Sequence, residues 1–100
     1  MSTSDRFAGK VAVITGGTTG IGRAIARRFV SDGGKIVIGA RHDTLFEEIT
    51  QELGADNCWC QVCDVTNRAQ VDALVQAAYD KFNGFDVMFG NAGINLFKDF

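Results

Sequence analysis

The stretch that most constrains this 100-residue chain is Thr15 to Gly22, TGGTTGIG, directly after the apolar run Val11-Ala12-Val13-Ile14. Glycine is costly in backbone entropy. Four of them in eight positions mark a place where the chain turns sharply or is approached closely by something else. A short apolar run without alternation is the pattern of a strand buried on both faces. After the loop, Ile21, Ala24, Ile25, Phe29 and Val30 recur at helical spacing, with Arg23, Arg27 and Arg28 turned outward. Strand, glycine loop and helix thus form the first unit.

The alternation then repeats. Gly33-Gly34 stops the first helix, and Lys35 to Gly39 reads as a second buried strand. Thr44-Leu45-Phe46-Glu47 has the form of a capping box, opening a helix with Leu45, Ile49 and Leu53 inward and Gly54 at its end. A third strand is predicted over 58–65. The third helix places Val71, Leu74, Val75, Ala78, Tyr79 and Phe82 on one face and ends at Asn83-Gly84. A fourth strand, 85–90, leads into Asn91-Ala92-Gly93. Four strands alternating with three helices through short connections predict an α/β fold with a parallel sheet and right-handed crossovers. Ligands of such sheets bind beyond the carboxyl ends of the strands. There the free N–H groups of a helix N-terminus suit a dinucleotide pyrophosphate.

Composition narrows the function classes. The chain is 46% hydrophobic and 22% charged, as expected of one globular unit. Its net charge of −2 argues against a nucleic-acid surface, which needs a clustered basic face. No apolar run is long enough to span a membrane, and the polar start Met1 to Arg6 lacks a signal-peptide core. With an odd number of cysteines, three, these features predict a cytoplasmic chain in a reducing compartment.

The spacing Thr15-Gly16-x-x-x-Gly20-x-Gly22 resembles that of the short-chain dehydrogenase/reductase family. Asp64-Val65, after the third strand, looks like that family's adenine-binding acidic pair. Asn91-Ala92-Gly93, after the fourth, looks like its Asn-Ala-Gly motif. The resemblance covers nearly the whole chain and implies a Rossmann-type, doubly wound parallel sheet, present here in part. It implies that Gly16 makes the tight turn and that Gly17, Thr18 and Thr19 lie against the cofactor's phosphates or ribose. Gly20 and Ile21 would face the pyrophosphate and nicotinamide, and Gly22 would allow close helix–strand packing. Asp64 would accept from the adenine amino group, with the Val65 backbone beside the ring. Asn91, with Ala92 and Gly93, would support the fourth strand and approach the ribose. The plainer reading of Asn91 and Gly93 is a strand-end turn.

An acidic residue about 20 residues past the glycine loop usually holds the ribose 2′-hydroxyl of NAD. Here the second strand ends Gly39-Ala40-Arg41-His42, with alanine at that position and a cation after it. A guanidinium fork binds a 2′-phosphate bidentately, so NADP(H) is expected in preference to NAD(H). His42 reads as an exposed neighbour of that phosphate. Thr19 argues the other way, because NADP-using relatives often carry a basic residue just before the second glycine.

The family's catalytic pattern, a Ser followed by Tyr-x-x-x-Lys, is not found in these residues. The single tyrosine, Tyr79, is followed four residues later by Asn83 and lies on the apolar helix face, so it reads as packing. No catalytic residue is assigned. Residues 1–100 are expected to be the N-terminal, cofactor-binding part of a single longer dinucleotide-binding domain. The whole protein would be an oxidoreductase acting on a small carbonyl or alcohol substrate, without nucleic acid or membrane, as a dimer or tetramer. A non-catalytic nucleotide-binding module and an inert fragment are the alternatives. No metal site is expected. Strand alternation puts Cys58 and Cys60 on one face and Cys63 on the other, so the three cannot converge on one ion. Trp59 is expected to pack at the core or edge of the third strand.

Overall fold

The computed structural model describes residues 5–16, 18 and 20–90. Strand β1, Val11–Thr15, is buried along its whole length. Its alternate residues feed two separate cores. Ala12 and Ile14 join Ile36, Ile38, Ala26, Phe29, Ile49 and Leu53 on one face of the sheet. Val11 and Val13 join Val37, Leu74 and Ala78 on the other. The uninterrupted apolar sequence of β1 is what a strand covered on both faces requires. Each fully buried Ile or Val side chain in these layers contributes about 1.5–3 kcal/mol relative to exposure.

The chain runs β1, α1 (Gly20–Ser31), β2 (Lys35–Ala40), α2 (Phe46–Leu53), β3 (Cys58–Val62), α3 (Arg68–Phe82), β4 (Val87–Gly90). The four strands form one sheet in the order β3-β2-β1-β4, and every pairing is parallel. Helices α1 and α2 pack on one face and α3 on the other. The connection through α3 carries the chain from β3 across the sheet to the far side of β1. The strand order therefore reverses beside β1, the arrangement of a doubly wound sheet. Among the described residues no helix is long and apolar enough to cross a membrane.

Four local readings of the sequence are corrected. In α1 the buried residues are Gly22, Ala26 and Phe29, while Ile21 is 69% exposed and Ala24 is exposed too. Small residues let the helix sit close on the sheet, so packing distance chose the face in place of bulk hydrophobicity. The Thr44–Glu47 capping box does not form. Helix α2 starts at Phe46, after Leu45, without a side-chain cap. Strand β3 stops at Val62, short of the predicted Val65. Finally, Arg23, which the helical spacing turned outward, is largely covered by ion pairs, whereas Arg27 and Arg28 are exposed as expected. Arg23 reaches Glu48 at 2.7 Å and Glu52 at 2.9 Å with its side chain only 16% exposed, and Arg27 also pairs with Glu52. These arginines bracket α1 to α2. Arg28 in turn pairs at 3.0 Å with the buried Asp32, one turn further on.

Helix α3 is bounded by its own chemistry. The Asn67 side chain caps it by accepting from the Gln70 N–H at 3.2 Å. Asn83 closes it in the left-handed region, φ 68°, and the Gly84 N–H donates back to Ala78 at 3.2 Å. Tyr79 is 49% exposed and meets Phe85 edge-on, ring centroids 6.0 Å apart. Phe85 adjoins Asp86, whose N–H donates to Val11 at the start of β1. Tyr79 thus sits at the amino edge of the sheet, away from the glycine loop, as a packing residue. Trp59 lies on β3 under the Lys81 ammonium, 3.9 Å from its ring centroid.

Candidate functional site

The site is built where three strands end together. In register, Thr15 lies opposite Gly39, and Gly39 and Ala40 lie opposite Gln61 and Val62. Beyond the strands the pairing persists. Gly16 N–H donates to the Gly39 carbonyl at 2.6 Å, and Cys63 N–H donates to the Ala40 carbonyl at 2.8 Å. Adjacent strands are about 4.8 Å apart. The turn at Gly16, the exit Ala40-Arg41 and the exit Cys63-Asp64 therefore lie side by side along one edge. On the other flank, Gly90 at the end of β4 pairs with Thr15, and the Thr15 hydroxyl donates to the Phe89 carbonyl at 3.4 Å.

The first of these exits is shaped for an anion. Gly16 has φ 73° and Gly20 φ 58°, a left-handed conformation that glycine adopts without penalty. Among the described residues, a Cβ on Gly20 would meet nothing within 4 Å. The first turn of α1 holds no acidic residue, so its unpaired N–H groups face no carboxylate of their own helix. Gly22, the third residue of α1, is buried.

The second and third exits are coupled electrically. Arg41 is exposed, as is His42 beside it. Asp64 is held below the usual carboxylate range, first by the Thr66 hydroxyl and the Thr66 N–H, and also by the Arg41 charge. Both Thr66 groups donate to Oδ1 of Asp64, at 2.7 and 2.9 Å. The Asp64 N–H donates to Oε1 of Gln70 at 2.8 Å. Among the described residues Cys63 makes the last bond to β2, and the Asp64 N–H, on the unpaired side of this edge strand, is satisfied by α3. Ile21 and Val65, apolar side chains 69% and 55% exposed, stand at the first and third exits.

Sheet order, glycine turn and acidic exit agree with one further finding: residues 10–100 match the profile of the short chain dehydrogenases. The chain belongs to the short-chain dehydrogenase family. It is 46% identical over 90 residues to momilactone A synthase of Oryza sativa subsp. japonica, covering 90% of this chain and 33% of that protein. Among solved structures it resembles a short chain dehydrogenase from Mycobacterium smegmatis, with TM-score 0.81 and 34% identity over 94% of this chain and 41% of that one. It also resembles the 3-ketoacyl-(acyl-carrier-protein) reductase from Brucella melitensis complexed with NADH, with TM-score 0.78 and 38% identity over 83% of this chain and 34% of that one. The chain therefore spans about a third of the length of the curated relatives it matches.

Of the residues expected at this dehydrogenase site, Gly16, Arg41, Asp64 and Val65 follow neighbouring strand ends. Thr18, Gly20, Ile21 and Gly22 belong to the loop and the start of α1. Gly17, Thr19, Asn91, Ala92 and Gly93 lie outside the described residues. The sequence reading missed Thr66 and Gln70, which fix Asp64. Two signals pointed to them: Asp64-x-Thr66 is a side-chain-to-backbone turn pattern, and Asn67-x-x-Gln70 has the spacing of a capping box.

Proposed function

We propose that residues 1–100 are the dinucleotide-binding part of an oxidoreductase that uses NADP(H) and acts on a small carbonyl or alcohol substrate. The observation that carries the reading is the alignment of three exits at one sheet edge. They comprise a glycine turn opening a helix, a guanidinium, and a carboxylate fixed by Thr66. A dinucleotide is long enough to lie across them. Its pyrophosphate would take the N–H groups at the start of α1, its 2′-phosphate the Arg41 guanidinium, and its adenine the Asp64 and Val65 side. The absence of contacts at Gly20 among the described residues and the exposed Ile21 and Val65 fit such a ligand, which would cover both side chains. When bound, the nicotinamide supplies or accepts a hydride, and the described residues bind and orient it.

Preference for NADP(H) over NAD(H) is supported by Ala40 and Arg41. A carboxylate at that exit would repel a 2′-phosphate, and a guanidinium binds one through charge-assisted hydrogen bonds. Fluorescence titration of the purified protein with NADPH and NADH tests this. NADPH is expected to bind at least ~10-fold tighter, and Arg41→Ala to remove most of that margin, since a hydrogen bond to a charged group contributes about 1.5–3 kcal/mol. Equal affinities would overturn the NADP(H) assignment alone. Absence of binding to either nucleotide would overturn the whole reading; binding without turnover is expected of residues 1–100 alone, and only its persistence in a full-length protein would favour a non-catalytic module. The expected assembly is a homodimer or homotetramer, which sedimentation would check. A cytoplasmic location suits the three free thiols of Cys58, Cys60 and Cys63.

A further inference from the structure

We propose that Cys58 and Cys60 form a two-thiol oxidation site, in which a hydroperoxide converts the pair reversibly into an intrastrand disulfide. The two sulfur atoms lie 3.7 Å apart on the same face of β3. Cys60 Sγ is also 3.7 Å from the Thr50 hydroxyl of α2. Cys63 is buried in the core on the opposite face of the sheet and takes no part.

The two thiols are unequal in a way that assigns their roles. Cys58 is buried and Cys60 is half-buried. The Cys58 thiol and the Thr50 hydroxyl both hydrogen-bond Cys60 and hold it below its ordinary value. Cys58 is pushed up, by its bond to Cys60 and by burial. Oxidation-sensitive cysteines combine thiolate character, access and a resolving partner; Cys60 is the more exposed of the two, and Cys58 Sγ at 3.7 Å is the resolving partner.

The chemistry balances with the hydroperoxide as oxidant. The Cys60 thiolate attacks the O–O bond, becomes a sulfenic acid, and releases an alcohol, or water from hydrogen peroxide, once the leaving oxygen is protonated. The Cys58 sulfur then attacks the Cys60 sulfur. The S–O bond breaks, and the departing hydroxide takes the Cys58 proton and leaves as water. Two thiols are oxidised and one hydroperoxide is reduced.

The strand sets the character of the bond. Residues two apart on a strand have Cα atoms about 6.6 Å apart, near the upper limit of ~6.8 Å for a disulfide. Closure pulls β3 out of its regular pleat. Strand β3 can bend because, among the described residues, it is an edge that pairs only with β2. Strained disulfides have higher reduction potentials and are the labile ones, so a cytoplasmic thiol pool reverses this one.

Differential alkylation with mass spectrometry tests the proposal on the purified protein. After brief hydrogen peroxide treatment, free thiols are blocked with a first label, and disulfides are then reduced and given a second. Cys58 and Cys60 are expected to carry the second label and Cys63 the first, and dithiothreitol before blocking should return all three to the first. Cys58→Ser should stop at a sulfenic acid on Cys60, trapped as a dimedone adduct. Three results would overturn the proposal: the second label on Cys63, overoxidation of Cys60 in the wild-type protein without linkage to Cys58, or no oxidation under conditions that oxidise the unfolded chain. The wild-type labelling decides the matter even if the serine variant does not fold.

Discussion

Gly39 shows how one residue joins packing to the site. A Cβ there would stand 2.6 Å from Cδ2 of Leu74 and 3.0 Å from the Cβ of Cys63. Its carbonyl also accepts from Gly16 at the start of the glycine loop. The position thus has no room for a side chain because α3 closes directly over the end of β2. Gly39→Ala is expected to destabilise the protein by about 1–3 kcal/mol, the usual cost of overpacking a core, read as a lower midpoint in urea denaturation. An unchanged midpoint would mean that Leu74 yields without strain. Asp64 makes the complementary point. Its acidity and its place were both readable as a strand-end carboxylate. The Thr66 and Gln70 bonds that fix it depend on the turn geometry and on where α3 begins.

At the scale of elements, the α1–α2 bracket has a pH signature. Glu52 is held below its ordinary value of 4.5 by hydrogen bonds from Arg27 and Arg23. A carboxylate with a depressed folded-state pKa adds stability above its unfolded value and loses it as pH falls through the folded value. Stability should therefore decline below about pH 4.5, with Glu52 contributing to that limb. Thermal melts of Glu52→Gln are expected to show lower stability at neutral pH and a shallower decline in acid. If the two proteins decline in parallel, the ion pairs contribute nothing measurable, as is common for exposed pairs. The bracket also explains why the arginines of α1 could not be judged from periodicity. Helical spacing sets which residues share a face, and the partner of that face lies on α2, from 25 to 29 residues away in the chain.

For the molecule as a whole, sheet order orders stability. Strands β1 and β2 are paired on both sides, and β3 on one side among the described residues. Backbone amides of β1 and β2 are therefore expected to exchange hydrogen most slowly, and those of β3 faster by local opening. Hydrogen-exchange mass spectrometry checks this, and equal protection of β3 would point to a partner covering its edge. The same flexibility is what the Cys58–Cys60 linkage requires.

Read alone, the sequence determined the element order, the parallel sheet and the glycine turn that ends β1. Those features rest on local periodicity and on glycine, whose conformational demands are written in a few neighbouring residues. The unbroken apolar runs of β1 and β2, the helical recurrence in α3 and the turn at Gly16 are all of that kind. Only the tertiary structure decided that Ala26, and not Ile21 and Ala24, is buried beside Gly22 and Phe29. It also decided that α2 starts without the Thr44 cap, that β3 stops at Val62 with the Asp64 N–H on Gln70, and that Arg23 and Arg27 bind acids of a second helix. Each of these is a competition between a local preference and a partner distant in sequence. The winner is set by how closely the layers approach, a distance that no short stretch of residues encodes.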